Sequence, residues 1–441
     1  MSSQKRLFND FTIVTMNETQ EVIPHGHLIV EGDRITEIAP GPASGDFAEV
    51  IEGGGKQVLM PGLVNTHCHA PMTLMRGYGG GHDLQTWLND YIFPVEAKLT
   101  PDAIRAGTQL AAAEMIANGI TTFADMYYFC DEMVETVLDA GLNMNISRGV
   151  TVFEPVERPE DFISCRESVE LADKWDGAGN GRIKVDMSIH GEYTSFQAPK
   201  VWSYLADCAR SRGLGIHVHL SETRSEHEEC MERHGGATPF QTLDRAGVWD
   251  GTRGMCAHGV WVTPEDMELM AKKGISVLHC PTSNLKLGSG IAPIARMAHE
   301  FGVNVALGTD GASSNNNLDL FAELKLAALL QSGANCDPKA LSTWDALRMA
   351  TVNGAKALGR SDTGALVPGN VADLIALDFS RPHLLPCHDV TEHLVYSARG
   401  SDVVLTMARG KILYRDGFFS TIDLDKMNCA LEEALPVLFG N

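Results

Sequence analysis

Leu59-Met-Pro-Gly-Leu-Val-Asn-Thr-His67-Cys-His69 is the stretch whose reading decides the fold. An apolar run ends in two histidines spaced two apart. On a β-strand, side chains at i and i+2 share a face, so both imidazoles project together. Two parallel imidazoles begin a site for zinc, iron or copper. Cys68, between them, faces the other way and reads as a packing residue.

Working outward, β-type and helix-type runs alternate from about residue 59 to 365. The strand candidates are 58–69, 120–126, 143–150, 183–190, 215–220, 254–258, 275–280 and 303–308. The clearest helix opens at Thr100 with Pro101 at its first position and stops at Gly119. Others follow Thr263 and run over 318–331. Eight βα units predict a closed parallel (β/α)8 TIM-like barrel, its active site at the carboxyl ends of the strands. The flanks instead carry short β runs, at 11–15, 27–31 and 34–38, and again at 372–377, 403–407 and 411–414. Neither flank can build a core alone. The expected organisation is therefore α/β, with a small β-sandwich domain made from both chain ends. Its N-terminal part is 1–58, the barrel is 59–365, and 366–441 supplies the rest. Helices are expected over 343–358 and 423–438.

With 441 residues, 44% of them hydrophobic, the chain can bury a large core. A net charge of −22 argues against nucleic acid and anionic membranes and for a small-molecule substrate. Residues 1–6 are polar and lack the apolar stretch of a signal peptide. The ten cysteines include no CxxC pair and read as reduced thiols, so a cytoplasmic location is expected.

Polar residues gather at the strand ends: His67 and His69, His190, His217-Val-His219-Leu-Ser-Glu222, His258, His279-Cys-Pro-Thr-Ser-Asn284 and Asp310. On a barrel such residues converge on one mouth. Asp125, ending the second strand, reads either as orienting a ligand histidine or, in preference, as the cap of the helix after it. His279 reads equally as a metal neighbour or a structural histidine. Gly77-Tyr-Gly-Gly-Gly-His82 reads as a lid element, since no Gly-Lys-Ser/Thr follows to make a phosphate loop. Histidines 25, 27, 82, 227, 234, 299, 383, 388 and 393 read as surface residues.

This constellation resembles the amidohydrolase superfamily over nearly the whole chain. His219-Leu-Ser-Glu222 followed by His258 is similar to its deaminase branch. Met72-Thr-Leu-Met-Arg76-Gly77, Trp87-Leu88, Phe93-Pro-Val-Glu96, Ser147-Arg148-Gly149, His190 and Ser283-Asn-Leu-Lys-Leu-Gly-Ser-Gly290 resemble the S-adenosylhomocysteine / 5'-methylthioadenosine deaminases. The resemblance implies a single divalent metal on His67, His69, His219 and Asp310. Zinc comes first, and iron(II) or manganese(II) is compatible with the same donors. Binuclear relatives use a lysine at the end of strand 4, where this chain has His190; its Lys184 lies near the start.

The implied reaction is hydrolytic deamination of a 5'-substituted adenosine to the inosine analogue and ammonia. Asp310 would take the proton of a metal-activated water and Glu222 would shuttle a proton to ring N1. His258 would hydrogen-bond the hydroxide and the developing oxyanion. By the same resemblance Glu96 accepts from the ribose hydroxyls, His190 contacts the purine, and Glu222 and Asp310 meet the reacting ring. Arg148 would pair with the carboxylate of a homocysteine tail. A second arginine found in some relatives is displaced here to Arg158, among acids, which favours an uncharged 5' group: methylthioadenosine, 5'-deoxyadenosine or adenosine. The alternatives are an aminohydrolase or chlorohydrolase of a guanine, pterin or s-triazine, and a catalytically dead relative that only binds partners. A homo-oligomer, dimer or tetramer, is expected.

Overall fold

The computed structural model describes residues 5–440; residues 1–4, the head of the polar segment read above, and residue 441 lie outside the described residues. Eight positions of parallel strand form the barrel: Leu63–Cys68, Ile120–Tyr127, Asn143–Arg148, Ile183–Val185 continued by Met187–Gly191, Gly215–Leu220, Arg253–His258, Ser276–His279 and Asn304–Leu307. Hydrogen bonding divides them into sheets of four and five strands. The fourth strand breaks at Asp186, whose amide still reaches Ile146 O at 2.9 Å. The ring closes where Asp310 N donates to His67 O at 2.9 Å.

The interior is layered. Val64, Ala124, Met255, Leu278 and Ala306, from five different strands, form a dry apolar plug. Below it, buried Asp186 accepts from Asn145 Nδ2 (2.7 Å) and Gly215 N (2.8 Å) and pairs with Arg253, which satisfies a carboxylate that would otherwise be costly to bury. Above the plug lies the polar mouth.

The run 58–69, expected as one strand, is two. Gln57–Pro61 lies antiparallel to Leu374–Asp378 and parallel to Lys5–Val14 in a nine-stranded sheet built from both chain ends, and only Leu63–Cys68 enters the barrel. Gly62 marks the crossing: a Cβ there would overlap the Thr121 side chain. Strand alternation explains why the apolar run never stops. Val58 and Met60 pack into the barrel core, while Leu59 packs into the sheet's own cluster with Phe8, Phe11 and Leu28. Ile375 and Leu377 face the barrel in the same way, and Leu374 and Ala376 face the sheet.

The helices follow their caps. Thr100 accepts from Ala103 N (3.2 Å) at the head of Pro101–Ala117. Thr263 and Asp266 form a capping box on Pro264–Lys273. The stretch 343–358 resolves into Thr343–Met349 and Val352–Ala357. Leu424–Phe439 packs on Pro101–Ala117, with Lys98 Nζ donating to Leu438 O (3.0 Å). Among the described residues no helix is long and apolar enough to cross a membrane.

Two of the histidines read as surface residues are buried. His27, on Val22–Glu31, donates from Nδ1 to Gly41 O (2.7 Å) and has Nε2 3.2 Å from Glu37 Oε1, and His227 lies on the inner side of Arg224–Arg233. A lone histidine on an amphipathic element carries no sequence mark of the face it takes.

Candidate active site

Three strand ends bend sharply where they reach the mouth. Ser221, His258 and Asp310 take left-handed backbone angles, with φ of 48°, 73° and 60°. Such angles cost a non-glycine residue of order 1–3 kcal/mol and concentrate where side-chain placement matters more than stability. The result is a tight cluster. Ring nitrogens of His67, His69 and His219 lie within 4.8 Å of one another, and His67, His258 and Asp310 meet the same limit. His69 Nε2 is 3.3 Å from His219 Nε2, and Asp310 Oδ1 is 3.2 Å from His69 Nε2 and 3.6 Å from His67 Nε2.

The far side of each imidazole is anchored by a hydrogen bond. His69 Nδ1 donates to Met126 O (2.7 Å), and His219 Nδ1 to His190 O (2.7 Å). His67 Nδ1 lies 2.9 Å from His217 Nε2, so His217 stands behind His67 as its hydrogen-bond partner. The Nε2 atoms of all three rings are thereby turned inward, the orientation a shared cation needs. His67 Nε2 is fully buried and has no hydrogen-bond partner. Burial holds His67 and His219 well below the usual imidazole range. Burial also opposes charge on His69, but Asp310 outweighs it and lifts that ring to about 9. Three nitrogens and one carboxylate oxygen fit a single divalent cation with an open position. Lys184 is remote from them, donating to Gly359 O at the opposite end of its strand.

Asp310 is held at both oxygens. Oδ1 accepts from Gly311 N (2.7 Å), and Oδ2 from Ser283 Oγ (2.6 Å) and Ser314 Oγ (2.9 Å). His258 Nδ1 meets Asn284 Oδ1 at 2.8 Å, leaving Nε2 3.6 Å from Glu222 Oε2. Glu222 is buried, and burial pushes its carboxyl up to about 8, with the Asp310 charge adding to the effect.

These groups open into a cavity at the mouth of the barrel. Its floor is polar, with His69, His219, Glu222, His258 and Asp310; Trp87, Leu88, Phe93, Tyr128 and Leu287 supply apolar walls. Glu96 and His190 line it as well. Burial raises Glu96 to about 7 and lowers His190 to about 3, so the latter is a neutral ring. The Gly77–His82 stretch leads directly into the wall residues Leu84, Trp87 and Leu88.

Arg148 does not join them. The strand alternates, and Ile146 two residues earlier packs into the core between barrel and helices, so Arg148 takes that outer side too. Its guanidinium pairs with Glu167 (2.7 Å), stacks 4.9 Å from the Tyr128 ring centre, and lines a neighbouring cavity with Asp131, Glu132 and Glu170. Arg158 is exposed and paired with Glu160 (3.2 Å) and Asp161 (3.1 Å). Asp125 does not cap the next helix, which begins at Cys130 after the strand has run on to Tyr127. Its Oδ2 instead accepts from Ala70 N (2.7 Å) and secures the turn that follows His69. His279 is buried and lies outside the cavity lining. Sequence reasoning missed Ser314, Tyr127 and Tyr193. Ser283 and Asn284 stood within a quoted motif without a role.

The pattern of the Amidohydrolase family matches residues 58–413. The chain belongs to that family. It is 43% identical over 422 residues to a protein of Methanosarcina mazei named 5'-deoxyadenosine deaminase, covering 96% of this chain and 95% of that one. A protein of Moorella thermoacetica named 5-methylthioadenosine/S-adenosylhomocysteine deaminase is 41% identical over 426 residues, covering 96% and 97%. Among solved structures, an adenosine deaminase from Xanthomonas campestris with bound zinc superposes with a TM-score of 0.91 at 30% identity, covering 98% of each chain.

Proposed function

We propose that this amidohydrolase deaminates a 5'-substituted adenosine hydrolytically, using one divalent cation, zinc in the first instance, held by His67, His69, His219 and Asp310. The observation that carries the reading is Glu222: a buried acid outside the donor set, pushed up to about 8, lining the same cavity as the candidate ligands. The names of the two 40%-range relatives support the substrate class.

A divalent cation held by these four residues would supply Lewis-acid activation of a water, the nucleophile for C6 of adenine. Asp310, fixed by two serines and an amide, accepts the water's proton. Glu222, protonated at neutral pH, delivers its proton to N1 and makes C6 electrophilic. His258, turned by Asn284, presents Nε2 to the reacting oxygen. The proton first taken by Asp310 leaves on the amino group as ammonia departs, and the proton of the new C6 hydroxyl passes to Glu222 as the C6–N bond is exchanged for C6=O. Both carboxyl groups return to their starting states. Glu96 accepts the two ribose hydroxyls, one on each oxygen, and His190 lies against the purine.

Arg148 spends its charge on Glu167, and among the described residues no lysine or arginine lines the cavity. We therefore rank 5'-deoxyadenosine and 5'-methylthioadenosine above S-adenosylhomocysteine. Steady-state comparison of these three with adenosine, following loss of adenine absorbance, tests the reading. Turnover of the uncharged 5' analogues with the highest kcat/KM is expected. Flat progress curves for all four, with turnover of guanine or an s-triazine, would replace it by the other aminohydrolase reading.

The pH profile has a defined sign. Glu222 acts as an acid, so kcat falls as pH rises through its pKa, at or below about 8 because a nearby cation lowers it. Glu96 must be ionised to accept two hydroxyl protons, so KM rises as pH falls through about 7. Initial rates from pH 5.5 to 9.5 (on the order of one unit either side of these values) separate the two limbs.

A further inference from the structure

Glu226 has no part in the chemistry above, yet it is buried four residues beyond Glu222. Its carboxylate gathers the backbone of the catalytic turn. Oε1 accepts from Ser221 N (3.0 Å), and Oε2 accepts from Glu222 N (2.6 Å) and Thr223 N (3.4 Å). Glu226 is also the third residue of helix Arg224–Arg233, where it completes a capping box with Thr223. An ordinary capping box needs only one of these three amides. The other two belong to the strained residue Ser221 and to Glu222 itself.

The other side of the same peptide is held as well. Ser221 O accepts from Val260 N (3.0 Å) and Trp261 N (2.9 Å), on the loop that follows His258. Ser221 is thus a node, gripped through its amide by Glu226 and through its carbonyl by the His258 loop. At its far end the helix is anchored too: Arg233 donates to Glu192 Oε2 (2.6 Å), just past His190. Burial and the neighbouring Glu222 push the Glu226 carboxyl up to about 8, and the three amides oppose that rise by favouring its ionised form; a carboxylate bonded to several amides is among the stronger restraints available to a backbone.

We propose that Glu226 is a positioning residue that acts through Glu222: its carboxylate holds the left-handed Ser221 turn and thereby sets where the proton-shuttling carboxyl stands relative to the substrate ring. The proposal rests on the proton-shuttle reading of Glu222. A glutamine cannot replace the carboxylate, because its amide group offers one acceptor oxygen and sets a donor against backbone donors.

The test is a double-mutant cycle of Glu226→Gln with Glu222→Gln, read as kcat, KM and bound zinc, with thermal melting as the fold control. Glu226→Gln is expected to lower kcat by about 10–100-fold, the scale of a misplaced catalytic group, with KM and zinc content close to wild type. In the Glu222→Gln background the same change is expected to leave kcat within about twofold, because the group being positioned is no longer functional. Equal losses in both backgrounds would overturn the proposal and leave Glu226 a plain helix cap. Wild-type kcat in Glu222→Gln alone would overturn the proton-shuttle reading, and this proposal with it. Should Glu226→Gln not fold, Glu226→Asp serves in the cycle. One methylene shorter, it keeps the charge but cannot span all three amides, and the same two outcomes decide.

Discussion

Glu222→Gln is expected to bind its cation normally and to lose on the order of 10²–10⁴-fold in kcat, the range that positioned acid–base groups contribute. The argument is geometric. Glu222 lines the cavity beside the donor cluster without belonging to it, and its Oε2 is 3.6 Å from His258 Nε2. Its burial keeps a proton on the carboxyl at neutral pH, which is the form needed to activate N1. Glutamine matches its volume and can still donate a hydrogen bond, but it has no proton to transfer. KM should therefore change far less than kcat. Metal analysis alongside steady-state kinetics checks both halves, and a variant retaining wild-type kcat would remove Glu222 from the mechanism.

Asp310→Asn carries the second large effect, and here metal and activity fall together. Asp310 is the one anionic member of the candidate donor set and the group that raises His69. Its two oxygens are already occupied by Gly311 N, Ser283 and Ser314, all donors. An asparagine would turn an amide NH2 towards donors on one side and remove the charge on the other. Zinc affinity should fall by more than the roughly 10–100-fold that loss of an outer partner costs. Turnover should drop below detection even at saturating zinc, because the proton acceptor is gone too. Competitive titration against a zinc-binding dye, followed by kinetics in excess zinc, separates the two losses. Full activity in excess zinc would show that Asp310 only binds.

The barrel was legible because its chemistry lies within its own strands. His67/His69 and His217/His219 repeat every two residues, and the strand that carries them ends where they stand. The helix starts were legible because Thr100 and Thr263 are local signals read within four residues. The break at Gly62 was not, because an apolar alternation continues unbroken while its two faces pass from one core to another. The turn of Arg148 towards Glu167 depends on a helix 19 residues later, which no local pattern announces. The alternation set by Ile146 did contain that answer, but the motif around Arg148 pointed the other way. Asp125 was misread because its strand runs two residues past it to Tyr127.

The most direct measurement is the anomalous-scattering map of a crystal grown with zinc. One ion per chain is predicted, with the Nε2 atoms of His67, His69 and His219 at about 2.0–2.1 Å and an Asp310 oxygen at about 2.0–2.2 Å. Two ions, or a single ion bound away from these four residues, would contradict the account.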